Sequence, residues 1–288
     1  MTIKHIIKQG FEFLEVHENS LLDCEVILAN VLGVDKEYLI AHSDQEIGGE
    51  SEFGDDLIEL FWAYLKKVKE GQPVAYILKE KEFYGLNFYV DNRVLVPRPE
   101  TELLVETVLN YLEGSDSEKF RILDVGTGSG NIAISLAANF QDLEVTALDL
   151  SEEALEVARV NVDQHGVEDR VQLAQSDLLD VVEEGENYHV IVANLPYIGI
   201  ETNSDVDENV RKHEPKAALF AGADGLVLYK KMFQQIKDKN LSYNMIVGEF
   251  GSMQQKDMAD LLNNFFEQKW RIEKDLAGFP RMFVINDR

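Results

Sequence analysis

Four short segments carry the residues whose types and spacing could do chemistry. The first is Asp124-Val125-Gly126-Thr127-Gly128-Ser129-Gly130, at the end of the β-type run Arg121–Val125. Glycines at that point let the backbone turn tightly and approach a ligand at the carboxyl edge of a sheet. The spacing is G-x-G-x-G, whereas a dinucleotide-binding loop reads G-x-G-x-x-G and cradles a pyrophosphate on a helix N-terminus. The second segment ends at Asp149, after another β-type run, where a carboxylate can accept hydrogen bonds from both hydroxyls of a ribose. The third is Ser176-Asp177-Leu178, placed after a third strand, where Asp177 can bond an adenine and Leu178 can pack on it. In that order, on three successive strands, these residues favour S-adenosylmethionine (SAM) over a nicotinamide dinucleotide, with Gly126, Thr127, Gly128, Ser129, Gly130, Asp149, Asp177 and Leu178 as its candidate binding residues. Taken singly, each is weak and is more often a structural turn.

The fourth segment, Asn194-Leu195-Pro196-Tyr197, bears on the acceptor. An amide or exocyclic amine nitrogen is planar, and its lone pair is delocalised. It needs two well-placed hydrogen-bond acceptors more than a strong base. The side-chain carbonyl of Asn194 and the backbone carbonyl of Leu195 can hold its two N–H groups, aim the nitrogen and stabilise the developing positive charge. Pro196 stiffens the turn, and Tyr197 offers a flat face to a planar group. Asn194, Pro196 and Tyr197 are therefore the candidate catalytic residues, and Asn194 also borders the cofactor.

The elements that must position these segments follow from periodicity. Residues 1–72 repeat apolar side chains at helical spacing (Ile6, Ile7, Phe11, Leu14; Leu57, Ile58, Phe61, Leu65) and predict a small helical bundle. Residues 73–102 change texture. Glu82–Val90, aromatic and β-branched around Gly85, predicts a short hairpin, and Val96-Pro97-Arg98-Pro99 an extended linker that also lines something. From 103 to 288 strands alternate with helices: strands at 121–125, 144–149, 171–174, 188–193, 243–250 and 281–285, helices at 131–139, 152–162, 225–236 and 253–266, with Ser151 capping the second. That alternation predicts a doubly wound parallel sheet of α/β class, Rossmann-like, with helices on both faces.

Composition narrows the partners. Acids outnumber bases by 53 to 27, a net charge of −26, which disfavours a polyanion such as nucleic acid or an anionic membrane. The single cysteine, Cys24, forbids an internal disulfide and sits in an apolar helical pattern, as a buried thiol would. There is no apolar run long enough to span a membrane and no leader-like start, so the chain reads as soluble and cytoplasmic. His5, His17, His42, His165, His189 and His213 show no ligand spacing, and no metal is expected. Trp62 and Trp270 read as core.

With these residues in view, the chain resembles the glutamine methyltransferases of peptide-chain release factors, the PrmC/HemK family, along nearly its whole length. The resemblance is carried by Gly71-Gln72-Pro73, Glu82-Phe83-Tyr84-Gly85-Leu86, Val96-Pro97-Arg98-Pro99-Glu100-Thr101-Glu102, the glycine loop, Asp149-Leu150-Ser151, Asn194–Tyr197, His213-Glu214-Pro215, Glu249-Phe250-Gly251 and Lys274–Gly278. It implies a SAM-dependent enzyme that methylates the side-chain amide (N5) of the glutamine in the Gly-Gly-Gln loop of release factors, acting as a monomer. The bundle would grip the factor away from that loop. Asn194, Leu195, Pro196, Tyr197, Arg98 and Glu214 would contact the substrate, with Arg98 steering the acceptor or, drawn by Glu100 and Glu102, bracing the hairpin. Two positions depart from the family pattern. Leu195 stands where a proline is usual, and Lys79 where a glycine is usual. Asn-Leu-Pro-Tyr also resembles the rRNA adenine dimethyltransferases, so an adenine-N6 methyltransferase of DNA or RNA is the alternative. A SAM-binding protein that has lost catalysis is a third reading, against which the intact Asn194 counts.

Overall fold

The computed structural model describes residues 1–14, 19–49, 51–199, 208–266 and 270–286. Two compact units divide the chain, Met1–Lys79 and Glu80–Arg288.

Among the described residues, five helices build the first unit: α1 (Ile3–Phe13), α2 (Ser20–Leu32), α3 (Lys36–Ala41), α4 (Asp55–Lys69) and α5 (Val74–Leu78). Their limits follow from local chemistry. The Thr2 and Asp35 side chains accept from the first-turn N–H groups of His5 and Tyr38, and α2 stops at Gly33 in the left-handed region. The apolar stripes meet in a core of Ile6, Cys24, Ile27, Leu28, Phe61 and Leu65, each at most 1% exposed. Packing is close enough at Gly10 that a Cβ there would stand 2.9 Å from Leu65 Cδ1 and 3.0 Å from Cys24 Sγ. Burial pushes the Cys24 thiol up to about 12, so it behaves as a small hydrophobe. Helix α5 extends helical structure past residue 72, to Leu78, and ends on Lys79 with φ +57°.

The second unit opens with a hairpin, β1 (Lys81–Phe83) and β2 (Leu86–Phe88), whose register pairs Phe83 with Leu86. Tyr84 and Gly85 both have positive φ, the two-residue turn whose twist matches paired strands. A 3₁₀ turn, Pro99–Thr101, leads into α6 (Glu102–Glu113). Then follow β3 (Phe120–Val125), α7 (Asn131–Asn139), β4 (Leu143–Asp149), α8 (Glu152–His165), β5 (Val171–Gln175), β6 (Asn187–Ala193), the short α9 (Glu208–His213) and α10 (Lys216–Leu219), α11 (Val227–Asp238), β7 (Ser242–Glu249), α12 (Gln255–Phe265), β8 (Trp270–Lys274) and β9 (Pro280–Asn286). The Ser151 hydroxyl caps α8 as expected, accepting from Ala154 N.

Seven strands form one sheet in the order β5-β4-β3-β6-β7-β9-β8. The first five pair in parallel; β9 runs antiparallel to both β7 and β8. The expectation of a fully parallel sheet is corrected at this edge. Strand β8 has only five residues, with half-buried Trp270 and Ile272 alternating with exposed Arg271. So short an alternation is masked by its charged neighbours, and Trp270 read as core is in fact half-buried at an edge, as Trp62 is half-buried in the bundle. The central strands are buried on both faces, Ile122, Leu123 and Val125 in β3 being fully covered.

The chain builds the sheet outward from β3 in one direction (β4, β5), then returns to its other side with β6. The carboxyl ends of β3 and β6, paired at Val125 and Ala193, therefore form a topological switch point. Loops leaving there diverge to opposite faces and open a crevice.

Candidate functional site

The crevice at the switch point is a cavity of about 290 Å³. Each sequence segment contributes a wall. Gly126, Thr127, Gly128 and Ser129 come from the end of β3, Asp149 from the end of β4, Ser176, Asp177 and Leu178 from the end of β5, and Asn194, Leu195 and Pro196 from the end of β6. Pro97, Arg98 and Thr101 close it from the linker.

Gly126, Gly128 and Gly130 all lie in the left-handed region, with φ +79°, +56° and +81°. They play different parts. A Cβ at Gly130, which N-caps α7, would come 2.9 Å from Ile134 Cδ1, so this glycine serves helix packing and lies behind the cavity wall. A Cβ at Gly128 would meet no atom within 4 Å, leaving open space beside its backbone. The loop is tied from both sides. Asp149 Oδ2 accepts from Gly128 N at 2.8 Å and Oδ1 from Ser151 N at 2.9 Å. The buried Asn161 of α8 donates to the carbonyls of Ser129 (2.8 Å) and Tyr89 (3.0 Å) and accepts from Tyr89 N (2.7 Å). Nothing in the sequence singles out Asn161; it is an ordinary polar residue on a helix until tertiary packing brings it under the loop.

Burial raises the Asp149 carboxyl, while the N–H groups of Ser151, Gly128 and Leu150 pull it back down. Two carboxylate oxygens offer about four lone-pair sites, so capacity remains beyond these backbone bonds, which suits two ribose hydroxyls. Asp124, at the base of the loop, is fully buried. Its Oδ2 accepts from the Thr127 hydroxyl at 2.7 Å, the Ala133 N–H also favours its charged form, and its Oδ1 has no close hydrogen-bond partner among the described residues. Burial first, and then the neighbouring Asp149, push it up to about 7. Asp177 is held by Lys231 Nζ at 2.5 Å, and Leu178 takes φ +55° to turn its side chain away from solvent. An open glycine cradle, a carboxylate with spare acceptor capacity and an apolar-lined crevice fit the amino-acid, ribose and adenine parts of SAM.

The Asn194–Tyr197 turn is the most heavily braced part of the site. Asn194 Nδ2 donates to Thr101 Oγ1 at 3.0 Å, and the Thr101 hydroxyl donates to Glu249 Oε2 at 2.7 Å. The Tyr197 hydroxyl donates to Glu249 Oε1 at 3.1 Å. Behind the turn, the Tyr229 hydroxyl donates to the Glu249 backbone carbonyl and accepts from Leu195 N at 3.4 Å. Gln254 Nε2 bonds the carbonyls of Tyr197 and Asp224, each at 2.8 Å. Gly225 is required beside it, because a Cβ there would lie 2.1 Å from the Tyr197 carbonyl. Among the described residues, no donor is bonded to Asn194 Oδ1 or to the Leu195 carbonyl.

Not every sequence-predicted residue reaches the cavity. Tyr197 and Glu214 stand outside its wall. Burial raises the Tyr197 phenol, with the Glu249 charge adding to it, so it stays protonated. Glu214 is buried behind Arg98, which donates to its Oε1 at 2.6 Å, while Oε2 accepts from Val96 N at 3.4 Å. Arg98 is thus drawn by Glu214. Glu102 instead accepts from Tyr84 N in the hairpin turn at 3.0 Å. Thr101, Tyr229, Gln254 and Asn161 are the residues that sequence reasoning gave no role. Among the described residues no group of three or more His, Cys, Asp or Glu side chains is arranged to hold a metal; His17 lies outside them.

Comparison with known proteins follows the same division. Residues 99–248 match the Methyltransferase small domain family, and residues 5–78 match the PrmC N-terminal domain. The chain is 33% identical over 287 residues to the release factor glutamine methyltransferase of Clostridium acetobutylicum, covering 99% of this chain and 98% of that protein. It is 37% identical over 284 residues to the enzyme of the same name from Bacillus subtilis, covering 97% and 96%. Among solved structures, the human METTL16 catalytic domain in complex with a MAT2A 3′UTR hairpin aligns with a TM-score of 0.59 at 14% identity, covering 76% of this chain and 82% of that one. The METTL16 N-terminal domain in complex with SAH aligns at 0.54 and 16% identity, covering 77% and 84%. At those identities the likeness is one of fold.

Proposed function

The chain belongs to the release factor glutamine methyltransferase family, and from that premise we propose that its switch-point cavity binds SAM and that the Asn194–Tyr197 turn presents a release-factor glutamine for methylation on its side-chain nitrogen. The observation that carries the acceptor assignment is the pair of carbonyls, Asn194 Oδ1 and Leu195 O, to which no donor is bonded among the described residues, on two residues that line the cavity. Two acceptors on successive residues match in number the two N–H groups of a primary amide.

When bound, SAM supplies a methyl group made electrophilic by a sulfonium sulfur. The protein's share is position and charge. Asn194 Oδ1 and the Leu195 carbonyl accept the amide's two N–H bonds, fix its plane and stabilise positive charge as it grows on nitrogen. The Leu195 carbonyl serves as the usual proline's would, because the acceptor belongs to the backbone. Its geometry is held by the Tyr229 hydroxyl on Leu195 N and by Gln254 on Tyr197 O. Pro196 restricts the turn from the other side. Asp149 takes the ribose hydroxyls, the Gly126–Gly130 loop the amino-acid part, and Asp177 and Leu178 the adenine. Arg98, at the rim and anchored by Glu214, orders the linker and faces the incoming Gly-Gly-Gln loop. The bundle engages the factor away from that loop, and the protein works in the cytoplasm as a monomer.

The test is methyl transfer from labelled SAM to a purified release factor, to the same factor with its loop Gln replaced by Ala, and to rRNA and DNA. Label is expected on the intact factor only. Label on nucleic acid alone would make Leu195 the mark of an adenine methyltransferase. Asn194→Ala is expected to abolish turnover and leave SAM affinity, measured by calorimetry, within about threefold; a matching loss of SAM affinity would move Asn194 to the cofactor.

A further inference from the structure

Asn194 can do its work only in one of two orientations. An amide has a donor end and an acceptor end of nearly the same shape. With Oδ1 towards the substrate the site offers two acceptors to two N–H groups. With Nδ2 there, a donor would face a donor.

The orientation is settled by counting protons along the chain Asn194–Thr101–Glu249. Thr101 is 1% exposed and has a single hydroxyl proton. An ionised Glu249 can only accept, so the Thr101 proton goes to Glu249 Oε2, at 2.7 Å. The Thr101 oxygen is then left to accept, and among the described residues the donor placed for it is Asn194 Nδ2, at 3.0 Å. Oδ1 must face the other way. A proton on Glu249 Oε2 would reverse every step. Glu249 would donate to Thr101, Thr101 would donate onward, and Asn194 would have to turn Oδ1 towards Thr101 and Nδ2 towards the substrate.

From this geometry we infer that Thr101 and Glu249 are positioning residues, which set the acceptor end of Asn194 towards the substrate amide so long as Glu249 is ionised. The inference rests on the acceptor role proposed for Asn194.

The surroundings of Glu249 bear on when that holds. It lies at the end of β7, 2% exposed. Thr101 and Glu100 face it from the 3₁₀ turn, Tyr197 from the loop after β6, and Arg281 from β9; the Tyr229 hydroxyl of α11 bonds its backbone carbonyl. Burial lifts the carboxyl above the usual carboxylate range and Glu100 adds to it. The two hydroxyls and Arg281 oppose the lift. The acid limb of activity should therefore lie above the range of an exposed glutamate.

The experiment measures kcat, KM and SAM affinity against pH for wild type, Thr101→Val, Thr101→Ser and Glu249→Gln, using whichever acceptor the wild type labels. A failure of the amide assignment is then read from the acceptor, and a failure of the positioning role from the variants. Thr101→Val keeps the shape and removes the relay. Its kcat is expected to fall about 100-fold, with acceptor KM and SAM affinity within about threefold, and Thr101→Ser to restore most of the loss. Glu249→Gln is expected to be slow and to lose the acid limb. Wild-type kcat in Thr101→Val, equal losses in the Val and Ser variants, or an unchanged acid limb in Glu249→Gln would each overturn the inference. If Thr101→Val does not fold, the Glu249→Gln profile decides alone.

Discussion

Single carboxylates in this protein do unlike work because their surroundings differ. Asp149 is held by backbone N–H groups, those of Gly128 and Ser151 among them, and has a place on the cavity wall. Asp149→Ala is expected to weaken SAM binding by about 1–3 kcal/mol, the worth of hydrogen bonds to a charged group, as read by calorimetry. Unchanged affinity would refute the ribose role. Asp124 is held by the Thr127 hydroxyl and the Ala133 N–H and does not line the cavity. Its folded value, about 7 against an ordinary 3.8, means that the folded state holds a proton which the unfolded chain releases. That stability is fully present below about pH 4 and is lost as pH rises towards 7. Asp124→Asn, which mimics the protonated form, is expected to give a shallower fall in Tm between pH 5.5 and 8 and a higher Tm at pH 8. A slope equal to the wild type's would show that Asp124 is ionised throughout.

At the scale of elements, the turns record where backbone shape overrides residue preference. Lys79 ends α5 with φ +57°, a conformation that costs an L-residue with a Cβ roughly 1–2 kcal/mol. Lys79→Gly is expected to stabilise the bundle by about 1 kcal/mol in urea unfolding, net of the extra freedom glycine gives the unfolded chain. A loss of stability would mean that the lysine side chain contributes contacts worth more than its strain. Leu178 is a parallel case, with φ +55° at the end of β5. Its side chain is buried in the sheet's core cluster while its backbone turns the chain along the cavity, so packing holds a conformation that local preference does not.

Across the whole molecule, net charge governs the response to salt. A net −26 concentrates repulsion on the folded surface. Raising ionic strength from 0.01 to 0.1 M shortens the screening length from about 30 Å to about 10 Å. Tm is expected to rise over that range. A Tm that falls with salt would show that the scattered surface pairs, such as Lys119 with Glu144 and Arg121 with Glu186, outweigh the repulsion.

The division between what the sequence determined and what the tertiary structure decided has a physical basis. Periodicity and turn chemistry are local, so the α/β alternation, the hairpin around Gly85, the Ser151 cap and the glycine loop are all legible as residues. Successive strands of a parallel sheet expose their carboxyl ends on one edge, so Asp124–Gly130, Asp149, Ser176–Leu178 and Asn194–Tyr197 can be placed together from the order of residues alone. Pairing direction depends on what lies beside a strand, and so β9 is legible as a strand at 281–285 but its antiparallel pairing with β7 and β8 is not. Hydrogen bonds between distant positions are equally hidden. Thr101 reaches Asn194 across 93 positions and Glu249 across 148. Arg98, beside two glutamates in sequence, pairs with a third, 116 positions away. Side-chain reach sets which partner is available, and only the fold brings those partners within 3 Å.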